Sequence, residues 1–264
     1  MQFLSSDRVL AARLEKAEAA NGFELARLAV EAIPDAAFES LAGGTAIFAG
    51  VGSPMTHALG IGMSGRVPQE EMERLEAFYR ERGSPCLMDL CPMADDSVLA
   101  FVQNRSYRII EFNNVLARRI EPDETFERSS SLHLASKDEK LQWSRVVSQG
   151  FAEYVPVTES QVNSMAAMCR DIQCWIARES EPVGGAAMSI QNGAALFFGD
   201  AVLTAARRKG WQSLLIRERL AVAQEAGCDL AMVSVLPGSA SHRNYERAGF
   251  QLIYMRVNLL REFA

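Results

Sequence analysis

The chain has 264 residues, 48% of them hydrophobic and 23% charged, an ordinary composition for a water-soluble globular protein with room for two modest domains. Its formal net charge of −6 speaks against a general nucleic-acid binder, which carries a basic face. Five cysteines without a C-x-x-C pair, and three dispersed histidines (His57, His133, His242), offer no disulfide framework and little to a metal; they fit reduced cysteines in a cytoplasmic protein.

Asp7 and Arg8 interrupt the first apolar residues, so no export signal is read. The uncharged stretch 183–199 contains Gln191, Asn192 and four glycines, which argues against a membrane span. Residues 7–32 carry a helical apolar period after Ser5 or Ser6 as cap, with a break expected at Asn21-Gly22. Strands are expected at Thr45–Ala49 and His57–Ile61. The clearest helix of the first half is 68–82: Pro68 opens it, Glu70 and Glu71 suit its first turn, Arg80 and Arg82 its last, and Gly83 follows. A strand at Cys86–Leu90, a helix over 95–103 and a long strand over Tyr107–Ala117 come next. The polar, turn-rich segment 121–131 is the expected junction, dividing the chain into domains 1–125 and 126–264.

The second half repeats the pattern. Helices fit 138–149 and 159–171, and Gln173–Arg178 pairs with Val183–Ser189 through Glu181-Pro182. A strand over Ala195–Leu203 leads into a turn at 204–210 and a helix from Trp211 to Ala226, closed by Gly227. Leu230–Leu236 is apolar at nearly every position, as a strand covered on both faces should be. A short helix, 241–248, ends at Gly249, and Phe250–Leu259 is the last strand. Both halves therefore read as strands, turn, helix, buried strand, short helix and final strand, with little residue identity between them. The expected fold class is α/β, in two layered domains of similar architecture.

Chemistry concentrates at Arg207-Arg208-Lys209-Gly210-Trp211-Gln212. A helix that starts here without a side-chain cap leaves its first amides, those of Trp211, Gln212 and Ser213, unpaired and directed outward. Such amides, the helix dipole and a glycine that permits close approach make an anion site, and three cations suit a diphosphate. A solvated basic turn before a surface helix would have the same residues.

This turn resembles the coenzyme A loop of the GNAT superfamily of N-acetyltransferases, Arg/Gln-x-x-Gly-x-Gly/Ala. Here it reads Arg207-x-x-Gly210-x-Gln212, with Thr204 where the family commonly has proline. Asn244-Tyr245-Glu246-Arg247-Ala248-Gly249-Phe250 is similar to the family's Tyr-x-x-x-Gly-Phe ending, and Gly238-x-x-Ser241 stands where Asn-x-x-Ala is common. The resemblance covers about residues 140–260. It implies acetyl-CoA as co-substrate and no metal, with the cofactor held by Val202, Leu203, Arg207, Arg208, Lys209, Gly210, Trp211, Gln212, Ser213, Ser241 and Asn244. It further implies an amine acceptor, a small molecule or a peptide, that attacks the thioester directly. Tyr245 matches the proton donor to the departing thiolate and Asp200 the acidic residue of the preceding strand, although Tyr245 also reads as a packed helix residue and Asp200 as a solvated carboxylate. The acceptor pocket is expected within 138–170.

A literal G-x-G-x-x-G at Gly60–Gly65 competes with this reading as an NAD(P)-binding oxidoreductase fingerprint, with Asp89 downstream. Pro68 starts the following helix three residues past Gly65, whereas the fingerprint's glycines open the helix itself. The first half reads instead as a degenerate, non-catalytic copy of the same fold. A non-catalytic acyl-CoA-binding protein is the other alternative.

Overall fold

The structure, a computed structural model, describes residues 3–152 and 157–263. It divides into two compact units, each drawn from two stretches of chain: Ser5–Val115 with Leu252–Ala264, and Met1–Leu4 with Leu116–Gln251.

The first unit opens with α1 (Arg8–Ala32), capped by Asp7, whose carboxylate accepts the Leu10 N–H. The break expected at Asn21-Gly22 is absent. A Cβ at Gly22 would lie 2.7 Å from Leu59 Cδ1 and 2.9 Å from Ile47 Cδ1, so the glycine lets the helix approach the sheet rather than ending it. Strands β1 (Ala37–Leu41), β2 (Gly44–Phe48) and β3 (Ala58–Leu59) pair antiparallel, and β4 (Cys86–Leu90) runs parallel to β3, Ala58 opposite Met88. β1 carried no clear alternation and was not expected. α2 (Gln69–Arg80) starts after Pro68, and α3 (Asp96–Gln103) is capped by Asp95. β5 spans Arg108–Arg119.

The last strand of the chain, β11 (Gln251–Arg261), pairs antiparallel with β4, Val257 opposite Leu90. From Leu252 onward it belongs to the first unit. Its buried Arg256 donates to Glu15 at 2.8 Å and to Glu18 at 2.5 Å on α1, and Tyr254 Oη donates to Glu15 at 2.7 Å. The expected junction, 121–131, lies inside the second unit: Gln224 Nε2 donates to the carbonyls of Glu121 (2.7 Å) and Glu124 (2.6 Å).

The second unit holds β6 (Leu132–Leu134), α4 (Lys140–Phe151), α5 (Glu159–Met168), β7 (Gln173–Arg178), β8 (Pro182–Gln191) and β9 (Ala194–Val202). A 3₁₀ turn at Thr204–Ala206, α6 (Trp211–Glu225), β10 (Leu230–Val235) and α7 (Ala240–Arg247) follow. β6 to β9 form an antiparallel meander, and β10 runs parallel to β9. Each unit is thus a mixed sheet with helices, in one repeated order. On one face of the second sheet Ala186, Met188 and Phe197 pack on Leu215, Ile216 and Leu220 of α6. On the other, Trp143 of α4 lies against Gly185 and Gly199, positions where a side chain would crowd its ring.

Candidate functional site

Two features of β9 shape the site. Its pairing with β10 runs from Ala194–Leu230 to Phe197–Val233 and ends there, although β9 continues to Val202 and β10 to Val235. The two parallel strands therefore part at their C-terminal ends. In the same stretch the register with β8 shifts between Gly185 and Ala187, giving β9 one extra residue, with Gly199 at φ 64°. Side chains alternate along a strand, so with Phe197 toward α6 an unbulged Asp200 would face α4. The bulge inverts the alternation and turns Asp200 toward α6.

There Asp200 meets Arg219 and Tyr245. Arg219, fully buried on α6, donates to both Asp200 oxygens, at 3.0 Å to Oδ2 and at shorter range to Oδ1. Tyr245 Oη, also fully buried, donates to Asp200 Oδ2 at 2.9 Å and accepts from Arg219 Nη2 at 3.1 Å. Burial pushes the Tyr245 phenol well above its ordinary range; Arg219 pulls it down and the Asp200 charge raises it further. The tyrosine ring packs edge-on against Phe250, 4.9 Å between centroids. Tyr245 and Asp200, read from the sequence as separate candidates, are brought into one network. Arg219 was missed because a lone arginine in a helix carries no pattern.

The turn at 207–212 opens α6 without a side-chain cap. Arg208 adopts φ 64° and Gly210, the N-cap residue, φ 86°. The N–H groups of Gly210, Trp211, Gln212 and Ser213 meet no acceptor among the described residues. A Cβ on Gly210 would meet nothing within 4 Å. The three cations differ in use. Arg207 braces the turn, its guanidinium donating to the carbonyls of Val202 and Gly150, both at 3.1 Å. Lys209 makes an exposed ion pair with Glu179 at 3.1 Å, and Arg208 is exposed.

Gln212, where the GNAT pattern has a small residue, bridges two helices: its Nε2 donates to Ser241 Oγ at 2.8 Å and its Oε1 accepts from Asn244 Nδ2 at 2.7 Å. Ser241 and Asn244 thus adjoin the turn through this side chain. At Val202 and Leu203 much of the main chain is already paired: Val202 O with Arg207, Leu203 N–H with Val183 O and Leu203 O with the Ala206 N–H. The strand edge facing the gap is therefore Gly199–Ala201. His242 Nδ1 accepts from the Gly238 N–H at 3.1 Å. Of the segment expected to shape an acceptor pocket, 153–156 lie outside the described residues.

The corresponding turn of the first unit is closed by packing. A Cβ at Gly62 would lie 2.6 Å from Val98 Cγ2, and one at Gly60 would lie 3.0 Å from Ala19 Cβ. The first turn of its helix α2 carries Glu70 and Glu71, which repel an anion. Among the described residues no group of three or more His, Cys, Asp and Glu could hold a metal, and no helix is long and apolar enough to cross a membrane.

Residues 139–250 match the model of the acetyltransferase (GNAT) family. A GCN5-related N-acetyltransferase from Kribbella flavida has the same fold over 94% of this chain and 97% of its own, with TM-score 0.65 and 16% identity. A tandem GNAT protein from the clavulanic acid biosynthesis pathway matches over 98% and 96%, with TM-score 0.61 and 14% identity. A GCN5-related N-acetyltransferase from Sphaerobacter thermophilus matches over 68% and 60%, with TM-score 0.52 and 19% identity. No curated protein matches the sequence.

Proposed function

We propose that this chain, whose residues 139–250 match the model of the acetyltransferase (GNAT) family, is a two-unit GNAT protein that transfers an acetyl group from acetyl-CoA to an amine. The amine, a small molecule or a peptide terminus or side chain, attacks directly. The observation that carries the reading is the set of four unaccepted amides at Gly210–Ser213, opening α6 beside parted parallel strands. Amides so arranged bind a diphosphate through hydrogen bonds and the helix dipole. Arg208 and Lys209 add charge; the exposed Lys209–Glu179 pair contributes only about 0–1 kcal/mol and yields readily to a polyanion. Trp211, Gln212 and Ser213 supply amides, Arg207 holds the turn, and Ser241 and Asn244 line it through Gln212. The edge of β9 at Gly199–Ala201, just ahead of Val202 and Leu203, is the surface on which an extended arm pairs as an added strand would.

Acetyl-CoA supplies an activated acyl thioester. Tyr245 gives its proton to the departing sulfur as the amine nitrogen bonds the acyl carbon, and the surplus proton of the amine passes to solvent, from which the phenol is restored. Asp200 orients the Tyr245 hydroxyl. The first unit is non-catalytic in this reading, supported by its crowded Gly60–Gly62 turn. Five buried cysteines, none joined in a disulfide, support a cytoplasmic setting.

Full burial of Tyr245 favours one second reading, a protein that binds acyl-CoA without turnover. Thermal shift with acetyl-CoA, CoA and NAD(P), followed by thiol release over a broad panel of primary amines, tests both. Stabilisation by CoA species with thiol release is expected. Binding without release supports the second reading, and stabilisation by NAD(P) alone overturns both.

A further inference from the structure

We propose that Arg219 is a positioning residue for acyl transfer, fixing Asp200 and Tyr245 where β9 and β10 part and keeping the Tyr245 proton transferable. The inference rests on the function proposed above and extends it to a residue of α6 outside both family motifs.

A guanidinium has five N–H donors in a rigid fork, and at Arg219 every donor is in use. Nε donates to Leu215 O at 3.0 Å; Nη1 donates to Ala187 O and Asp200 Oδ2, both at 3.0 Å; Nη2 donates to Asp200 Oδ1 and to Tyr245 Oη at 3.1 Å. The charge also lies 4.4 Å over the Phe197 ring. One side chain thereby ties β8, the β9 bulge and α7 to α6. Leucines and alanines surround it on the same helix, and an apolar side chain would fill such a position at no desolvation cost. A charge kept there calls for a use.

The use follows from Tyr245. A buried phenol that donates to a carboxylate holds its proton tightly, since burial and the neighbouring negative charge both oppose phenolate. Arg219 is the one group on the hydroxyl that opposes them, donating to the oxygen that must carry charge as the proton leaves. Lysine keeps the charge but has three donors and cannot serve five acceptors.

The test compares wild type, Arg219→Lys, Arg219→Met, Asp200→Asn and the double variant Asp200→Asn/Arg219→Met. Affinity for CoA is measured by calorimetry, and thiol release from acetyl-CoA with the best amine of the panel. For Arg219→Met a fall in kcat of about thirtyfold or more is expected, with the CoA Kd within about threefold of wild type and partial recovery in Arg219→Lys. Should Arg219→Met fail to fold, Asp200→Asn against the double variant isolates Arg219 without leaving a buried carboxylate unpaired. An unchanged kcat, or CoA affinity lost in step with kcat, overturns the role of Arg219. Absence of CoA binding or thiol release in wild type instead overturns the function on which it rests, a separate result.

Discussion

Gly210 and Tyr245 are the residues at which the proposed function is most directly tested. At φ 86° and with open space where a Cβ would stand, Gly210 combines a left-handed backbone with access to the amides behind it. Gly210→Glu places bulk and negative charge over those amides, and CoA affinity should fall at least about 100-fold, about 2.7 kcal/mol, as read by calorimetry. Retained affinity would remove the turn as the cofactor site. For Tyr245→Phe the ring and its contact with Phe250 survive, and only the hydroxyl and its bonds to Asp200 and Arg219 are lost. Thiol release should drop about 100-fold, within the usual worth of a general acid, with CoA affinity nearly intact; an unchanged rate would make Tyr245 a packing residue. Both residues were legible in the sequence because a motif carries them. Arg219 and the part of Gln212 in joining Ser241 to Asn244 were not, because they depend on which helix lies beside which.

At the scale of elements, the bulge in β9 decides what the site contains. Gly199 within a strand pattern is the one sequence sign of it, yet the consequence, Asp200 turned onto the α6 face, needs the register with β8 to be seen. Gly199→Ala would force a side chain into φ 64° and set its Cβ 3.3 Å from Trp143 Cζ2. A left-handed alanine costs roughly 1–2 kcal/mol, so urea denaturation should show a loss of that size, along with reduced thiol release as Asp200 shifts. Normal turnover in this variant would mean that the bulge does not position Asp200. Gly22 teaches the reverse lesson. The Asn21-Gly22 pair reads as a helix break, but Leu59 and Ile47 beneath Gly22 make it a contact residue.

Across the molecule, the ends of the chain matter more than the polar segment in its middle. Because β11 pairs with β4 and sends Arg256 onto Glu15 and Glu18, a fragment of residues 1–125 lacks a strand and the partner of a buried carboxylate. Removing one member of a buried ion pair costs about 3–5 kcal/mol, so the fragment should be unfolded by circular dichroism and regain structure when 252–264 are joined to it. A cooperative, stable 1–125 would contradict this division. The same unit carries a pH-dependent element in His57 and Asp89, 3.1 Å apart. Burial lowers the histidine, but the charge and hydrogen bond of Asp89 outweigh it and leave His57 raised. Burial raises the aspartate, but His57 leaves it lowered. The raised His57 stabilises fully below its unfolded value and loses its contribution as pH climbs through the folded one; the lowered Asp89 contributes above its unfolded value and loses it on acidification. Asp89→Asn should therefore destabilise more at about pH 5.5 than at about pH 8.5, measured by urea denaturation, and equal losses would show that His57 is uncharged throughout. By itself the sequence determined the helices and most strands, the repeated order of the two halves, and the candidate turn at 207–212 with its resemblance to the GNAT pattern, since periodicity, caps and short motifs are local. Only the tertiary structure decided that β11 completes the first unit, that the strands part after Phe197, and that Arg219 joins Asp200 to Tyr245. Strand pairing and buried charge are set between residues far apart in the chain, where the free energy of a contact depends on the neighbour it finds.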